Sequence, residues 1–364
     1  MRVAVLGVGL IGGSIGLAVK RRLAADVAGF DVSSSVLDRA AELGAIDQKC
    51  DSVVEAAAGA EVVFCSAPVG ELPELARSAL GASSEDAVVT DVGSTKRDLV
   101  AGLDARTGGE RFIGGHPLAG TEASGIDGAR ADLFEGARWY LTPTETTNGV
   151  LYDKLQRAIA DLGARPQAID AVTHDRVMAT VSHLPHVLAN ALVSQAADTL
   201  SEESERLPTV GPSFRDVTRV AGSSPAIWGD ILAANRESVV SAVERIVERL
   251  TNSLELLREG SADEIAAWHG WAGDARRRLL EADHVGGPLH HLQVSVENRP
   301  GTVAEIALAL GSAGVNIEDM TLSPATDMRT GSISLWIAGA EESERGAEVV
   351  RDLGYAVTLV DGSG

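Results

Sequence analysis

Short apolar runs alternate with amphipathic stretches through the first 168 residues. Val3–Leu6, Val27–Phe30, Glu61–Ser66, Ala87–Asp91, Phe112–Gly115 and Arg138–Thr142 read as strands. Continuous apolar strands between helical patterns imply a sheet covered on both faces, with ligands held beyond the carboxyl ends of its strands. From residue 169 to 283 the strand signals stop. Met178, Val181, Leu184, Leu188 and Leu192 recur at helical spacing, as do Ile231, Leu232, Val239, Val243, Ile246, Val247, Leu250 and Leu254, which predicts an all-helical section. Its apolar stripe suits either an internal bundle core or a homodimer interface, and periodicity does not choose between them. After the breaker segment His284-Val-Gly-Gly-Pro288, residues 289–364 change pattern again. Leu289–Glu297, Asn316–Ser323, Gly331–Ala338 and Tyr355–Val360 read as strands, and Thr302–Ser312 and Glu342–Leu353 as helices. That βαββαβ order is enough for a small independent domain.

The first strand runs into Gly7-x-Gly9-x-x-Gly12, and Asp31 closes the second strand about twenty residues later. Glycines at this spacing permit a tight turn, backbone approach to a pyrophosphate and close helix packing, while the helix N-terminus offers N–H donors to the anion. A carboxylate at Asp31 suits the two adenosine ribose hydroxyls and repels a 2′-phosphate, so NAD is favoured over NADP. The candidate cofactor contacts are Gly7, Gly9, Leu10, Ile11, Gly12 and Asp31. The expected fold class is therefore α/β, with a Rossmann-type dinucleotide-binding domain (1–168), an all-helical domain (169–283) and a C-terminal βαββαβ domain (289–364).

Composition narrows the partners. With 45% hydrophobic but only 4% aromatic residues, the core must be built of Ala, Val, Leu and Ile. A formal charge of −21 argues against a nucleic-acid surface, and Arg276-Arg277-Arg278 reads as a solvated helix face. Cys50 and Cys65 are the only cysteines, lack metal or redox spacing, and suit a reduced, cytoplasmic protein. No apolar run approaches the ~18 residues that span a bilayer, so no membrane is expected.

The chemistry concentrates at strand ends. Asp91-Val-Gly-Ser-Thr-Lys96 follows one strand and Gly114-Gly-His-Pro-Leu-Ala-Gly-Thr-Glu122 the next, which places Ser94 and His116 where a nicotinamide would meet a substrate. His116 is a candidate general base for an alcohol, or alternatively a loop histidine bonded to a backbone carbonyl. Ser94 can share the hydrogen bond and can also cap a helix over Thr95–Ala101. Glu122 caps or gates. Ser182-His-Leu-Pro-His186 sets His183 and His186 three apart on one helical face. A metal is rejected, because no third ligand stands at a supporting spacing and hydride transfer needs none; a polar substrate is the better partner. In Ser213-Phe-Arg-Asp-Val-Thr-Arg-Val-Ala221, Arg219 can fork a carboxylate or pair with Asp216 across a turn, and Trp228 can wall an apolar ring.

GVGLIGGS, DVGSTK, GGHPLAGTE, SHLPH and SFRDVTRVA, in this order, closely resemble the prephenate/arogenate dehydrogenase family of tyrosine biosynthesis. The resemblance implies a Rossmann domain, a helical dimerisation domain, a homodimer, NAD, and prephenate or arogenate as the small-molecule substrate. By motif, His116 matches the histidine that bonds and polarises the ring hydroxyl, and Ser94 the serine sharing that contact. Arg219 matches an arginine holding a substrate carboxylate, reaching the neighbouring subunit's site, with Glu122 and Asp216 as acids that gate the pocket. His186 and His183 match the substrate side-chain region and Trp228 an aromatic residue near it. Leu118 departs from the family's usual Met or Ile, a chemically neutral swap. Asn298-Arg-Pro300-Gly301 and Gly314-Val-Asn316 resemble an ACT domain, which implies an amino-acid effector bound near Asn298, Pro300, Gly301 and Asn316.

Overall fold

Eight strands from the first part of the chain pair into one sheet, threaded by helices on both faces. In chain order these elements are β1 (Arg2–Leu6), α1 (Leu10–Leu23), β2 (Asp26–Phe30), α2 (Ser34–Glu42), β3 (Gln48–Lys49), α3 (Val53–Ala57), β4 (Val62–Cys65), α4 (Leu72–Ala82), β5 (Val88–Asp91), α5 (Arg97–Ala101), β6 (Phe112–Pro117), β7 (Arg138–Thr142), α6 (Gly149–Asp161) and β8 (Arg165–Ala168). The structure is a computed structural model that describes residues 1–103, 108–120, 125–203, 210–281, 289–297, 302–324 and 330–360. These divide into two compact units, Met1–Leu250 and Thr251–Gly364.

The strand order is β3-β2-β1-β4-β5-β6-β7-β8, parallel except where β7 runs antiparallel to β6. Because the chain leaves β1 in one direction and returns through β4 in the other, a crevice opens between their carboxyl ends, the place where such sheets bind nucleotides. Every residue of β4 and β5 is buried, as expected of strands covered on both sides. One face packs Val3, Val5, Val27, Phe64 and Trp139 against α1, α2 and α6, and the other packs Ala4, Leu6, Val63 and Val89 against α3 and α4. All six expected strands form. The pattern does not reveal β3, which is two residues long, or β8, a polar edge strand containing Pro166, because neither carries a buried apolar face.

The helices that follow are α7 (Ala171–Met178), a π turn over Ala179–His183, α8 (Leu184–Glu203), α9 (Pro212–Thr218), α10 (Pro225–Ala234), α11 (Arg236–Glu259) and α12 (Ala262–Glu281). Asp170 caps α7 by accepting from the Thr173 amide at 2.9 Å. The apolar stripe splits in two. Leu184, Val239 and their neighbours Leu188, Leu232, Val243 and Ile246 pack together, whereas Val247, Leu250 and Leu254 stay about half exposed. The helical run Ala171–Thr199 is long and apolar enough in composition to cross a bilayer, which corrects the sequence expectation. It buries His174, Asp175 and His183 in the polar network described below.

In the second unit, β9 (Leu289–Glu297), α13 (Thr302–Ser312), β10 (Asp319–Pro324), β11 (Thr330–Ala338), α14 (Ala340–Asp352) and β12 (Ala356–Val360) complete the chain. Their sheet is antiparallel in the order β10-β11-β9-β12. Leu292, Val294, Ile333, Leu335 and Ile337 alternate onto the face covered by Ile306, Leu310, Ala347 and Val350 of the two helices. β10 begins at Asp319 rather than Asn316, whose side-chain amide donates to Glu318 Oε1 at 2.7 Å. Asn298, Pro300 and Gly301 lie outside the described residues.

Candidate active site

The loop between β1 and α1 can be made only with glycine at two positions. Gly7 has φ +91°, and a Cβ there would lie 2.1 Å from the Ser66 carbonyl oxygen just after β4; a Cβ on Gly12 would lie 1.9 Å from Gly7 O. Gly9 is the N-cap of α1, has no side-chain cap, and faces open space where a Cβ would stand. With no acidic residue in the first turn of α1, the amides around Leu10, Ile11 and Gly12 form an uncapped seat for a pyrophosphate. Asp31 Oδ2 accepts from the Val8 amide and Oδ1 from the Ser33 amide, both at 3.0 Å. These bonds hold the carboxylate against the loop and leave lone pairs for ribose hydroxyls. The residues present therefore fit NAD.

Two strands away, Asp91 organises the chemistry. Its Oδ2 accepts from the Gly93 amide at 2.7 Å and its Oδ1 from the Gly115 amide at 3.0 Å, so one carboxylate ties together the loops that carry Ser94 and His116. Lys96 Nζ pairs with the same carboxylate, and both side chains are fully buried. The helix expected to start at Thr95 starts instead at Arg97, and Ser94 does not cap it. The Lys96 and Arg97 amides donate to Asp175 Oδ1 and Oδ2, at 2.7 and 2.9 Å, so the cap comes from α7.

His116, at the end of β6, is partly buried and bonded to a side chain rather than to a carbonyl. Its Nδ1 lies 2.9 Å from His174 Nε2, and His174 Nδ1 lies 2.8 Å from Asp175 Oδ1. Burial, then the neighbouring His174, Lys96 and His183, push the His116 pKa well below the ordinary 6.5, so its ring is neutral at pH 7. Burial would raise the pKa of Asp175, but the hydrogen bonds from His174, Arg97 and Lys96 outweigh it and hold the carboxyl below its usual range.

Asn235, at the α10–α11 junction, joins His183 to this network. Its Nδ2 donates to Asp175 O at 2.7 Å and to His183 Nδ1 at 3.2 Å, which leaves the His183 proton on Nε2. Burial pushes the His183 pKa down to about 4, against the opposing pull of Asp175. In an unbroken α-helix His174 and His183, nine residues apart, would sit about 2.5 turns apart on opposite faces. The π turn absorbs one extra residue, and both side chains are fully buried. His186 stacks on Trp228 with ring centroids 3.3 Å apart, and His183 meets the same indole edge-on at 5.9 Å. Burial, and next the carbonyl of Ser182 pulling the other way, set the His186 pKa, which the nearby charge of Arg219 helps to keep low. Arg219 follows α9 in a 3₁₀ turn, and Asp216 is exposed on α9. Glu122 lies outside the described residues. Among the described residues no cluster of three His, Cys, Asp or Glu is arranged to hold a metal.

Sequence reasoning missed Lys96, Asp91, His174, Asp175 and Asn235. The His174-Asp175 pair, shortly before the SHLPH motif, was the readable signal.

A dinucleotide loop, a neutral histidine at a neighbouring strand end and a polar helical wall define an NAD-dependent dehydrogenase of two-section build. Residues 15–167 match the nucleotide-binding domain of prephenate dehydrogenase and residues 170–270 its dimerisation domain. The chain is 30% identical to the prephenate dehydrogenase of Bacillus subtilis over 94% of either chain. It superposes on an A. aeolicus prephenate dehydrogenase in complex with hydroxyphenyl propionate and NAD+ (TM-score 0.70, 34% identity, 77% of this chain and 98% of that one). A Synechocystis arogenate dehydrogenase gives a TM-score of 0.68 at 27% identity, covering 77% of this chain and all of the other. The chain belongs to the prephenate dehydrogenase family, an NAD-dependent enzyme class.

Proposed function

We propose that His116 takes the ring-hydroxyl proton, with Ser94 sharing that hydrogen bond, in the oxidative decarboxylation of prephenate to 4-hydroxyphenylpyruvate and CO2. NAD, when bound, supplies the hydride acceptor. One observation carries the reading: among the described residues Ser94 Oγ and His183 Nε2 are buried without a hydrogen-bond partner, and His116 is held neutral. Buried polar atoms cost ~1–3 kcal/mol when unsatisfied, and a polar substrate relieves that cost. Loss of the ring carboxylate restores aromaticity and makes the step effectively irreversible, so the chain's own work is orientation and charge placement. His183, His186 and Trp228 face the substrate side chain in this reading, and Glu122 and Asp216 gate the pocket.

NADH formation from purified prephenate and arogenate tests the assignment. Preference for arogenate would favour the alternative, direct formation of L-tyrosine, and turnover of neither would end both readings. Arg219 clamps a substrate carboxylate. Because such a clamp binds ground and transition states alike, Arg219→Ala is expected to raise the KM for substrate by at least ~10-fold with kcat little changed. An unchanged KM would remove Arg219 from the site.

The half-exposed row Val247, Leu250 and Leu254 forms the homodimer interface in this reading, continuous with the dimerisation-domain match. The two cysteines, free and buried, suit a cytoplasmic enzyme. The C-terminal unit is an ACT-like module that binds an aromatic amino acid near Asn316. Tyrosine at millimolar concentration should raise the Tm and lower the rate, and no change in either would exclude it.

A further inference from the structure

We infer that His174 and Asp175 are positioning residues that fix the tautomer of His116, through a chain of hydrogen bonds whose direction is set by a carboxylate. The inference rests on His116 being the proton acceptor.

With one proton on each ring, the direction follows from donors and acceptors. An ionised Asp175 carboxylate only accepts, and it already accepts from two backbone amides. The His174 nitrogen 2.8 Å from Oδ1 must therefore carry a hydrogen, and the inference places that ring's one proton there, on Nδ1. His174 Nε2 is then a lone pair. Across 2.9 Å it can only accept, so the proton of the neutral His116 ring is on Nδ1. What remains on His116 is an unprotonated Nε2, the atom that can take a proton from an alcohol. When the substrate O–H bond breaks and that proton reaches Nε2, the new imidazolium keeps its Nδ1–H on His174. The fixed negative charge of Asp175 lies one ring behind it. The edge-on packing of His174 against His116 and Tyr140, at 5.1 and 5.7 Å, holds the middle ring in place.

The same carboxylate caps α5 just after Ser94, and its backbone carbonyl holds Asn235 and through it His183. One residue of α7 thus orders both the base and the loop beside it.

Asp175→Asn reverses the chain. With its oxygen kept on the Arg97 amide, the asparagine gives up the Lys96 amide bond and its NH2 donates to His174 Nδ1, which puts protons on His174 Nε2 and then on His116 Nε2. The expected result is a fall in kcat of roughly 10²–10⁴-fold, the scale seen when a triad histidine is given the wrong tautomer, with KM for NAD within about threefold. Ring-nitrogen NMR of the free protein should show the His116 proton moved from Nδ1 to Nε2. A wild-type kcat, or a His116 proton still on Nδ1, would overturn the inference. If Asp175→Asn does not fold, His174→Gln and His174→Leu replace it. Glutamine can accept the His116 Nδ1–H and leucine cannot, so the glutamine variant should be at least ~10-fold more active, and equal activities would overturn the inference. His116→Asn is assayed alongside. Unaffected turnover there would sink the reading of His116 itself, whereas collapse there with a normal Asp175→Asn would sink only the role of Asp175.

Discussion

Replacing His116 by Asn lowers kcat by roughly 10²–10⁴-fold while the Kd for NAD stays within a few-fold of wild type, because a positioned base contributes that much and the nucleotide is held elsewhere. In this reading the pyrophosphate and adenosine ribose of NAD are held by the loop at Gly7–Gly12 and by Asp31, whereas His116 stands at the end of β6. Asparagine is polar and smaller than histidine, and an unchanged Tm would show that a lost proton acceptor and not a lost fold governs the result. The pH profile of the wild type provides a second check. Burial, reinforced by His174, Lys96 and His183, depresses the His116 pKa well below 6.5. A base works unprotonated, so activity is full at and above pH 6.5 and falls only as pH drops through the lowered value. An acid limb of kcat/KM at or above 6.5, or near-normal turnover in His116→Asn, would remove His116 from the role.

The sheet and its nucleotide loop were legible because buried parallel strands leave long apolar runs and the glycine spacing answers to sterics that admit no substitute. The positions of Ser94, just after β5, and His116, at the end of β6, were legible because the strands themselves were. What lay hidden was polar and long-range. Asp175 caps a helix 78 residues earlier in the chain, Asn235 holds a histidine 52 residues before it, and neither spacing leaves a periodic trace. The start of α5 was misplaced for the same reason. A local reading assigns the cap to Ser94, while the fold brings a carboxylate from α7. The apolar stripe of the helical section was ambiguous in sequence because one periodicity runs through both a packed and an exposed stretch. Leu184 and Val239 pack inside, and Val247, Leu250 and Leu254 on the same pattern do not.

Lys96→Met should be the most destabilising single change at the site, costing about 3–5 kcal/mol, because it strands the Asp91 carboxylate in a place with no access to water. Two backbone amides would still bond that carboxylate, from Gly93 and Gly115, but neither carries a charge to balance it. Urea unfolding should show the loss as a lower midpoint, and the Tm should fall by roughly 6–20 °C, given ~2–4 °C per kcal/mol for a unit of this size. The double variant Asp91→Asn, Lys96→Met is expected to recover much of the stability, since removing both charges abolishes the stranded one. It should not recover the turnover. Asp91 holds the Ser94 and His116 loops at a fixed separation through oxygen acceptors on both sides, and an asparagine has one oxygen to offer where the carboxylate has two. Stability returning with activity intact would mean that the buried pair serves the fold alone. Stability returning without activity would place the pair among the elements that set the geometry of the base.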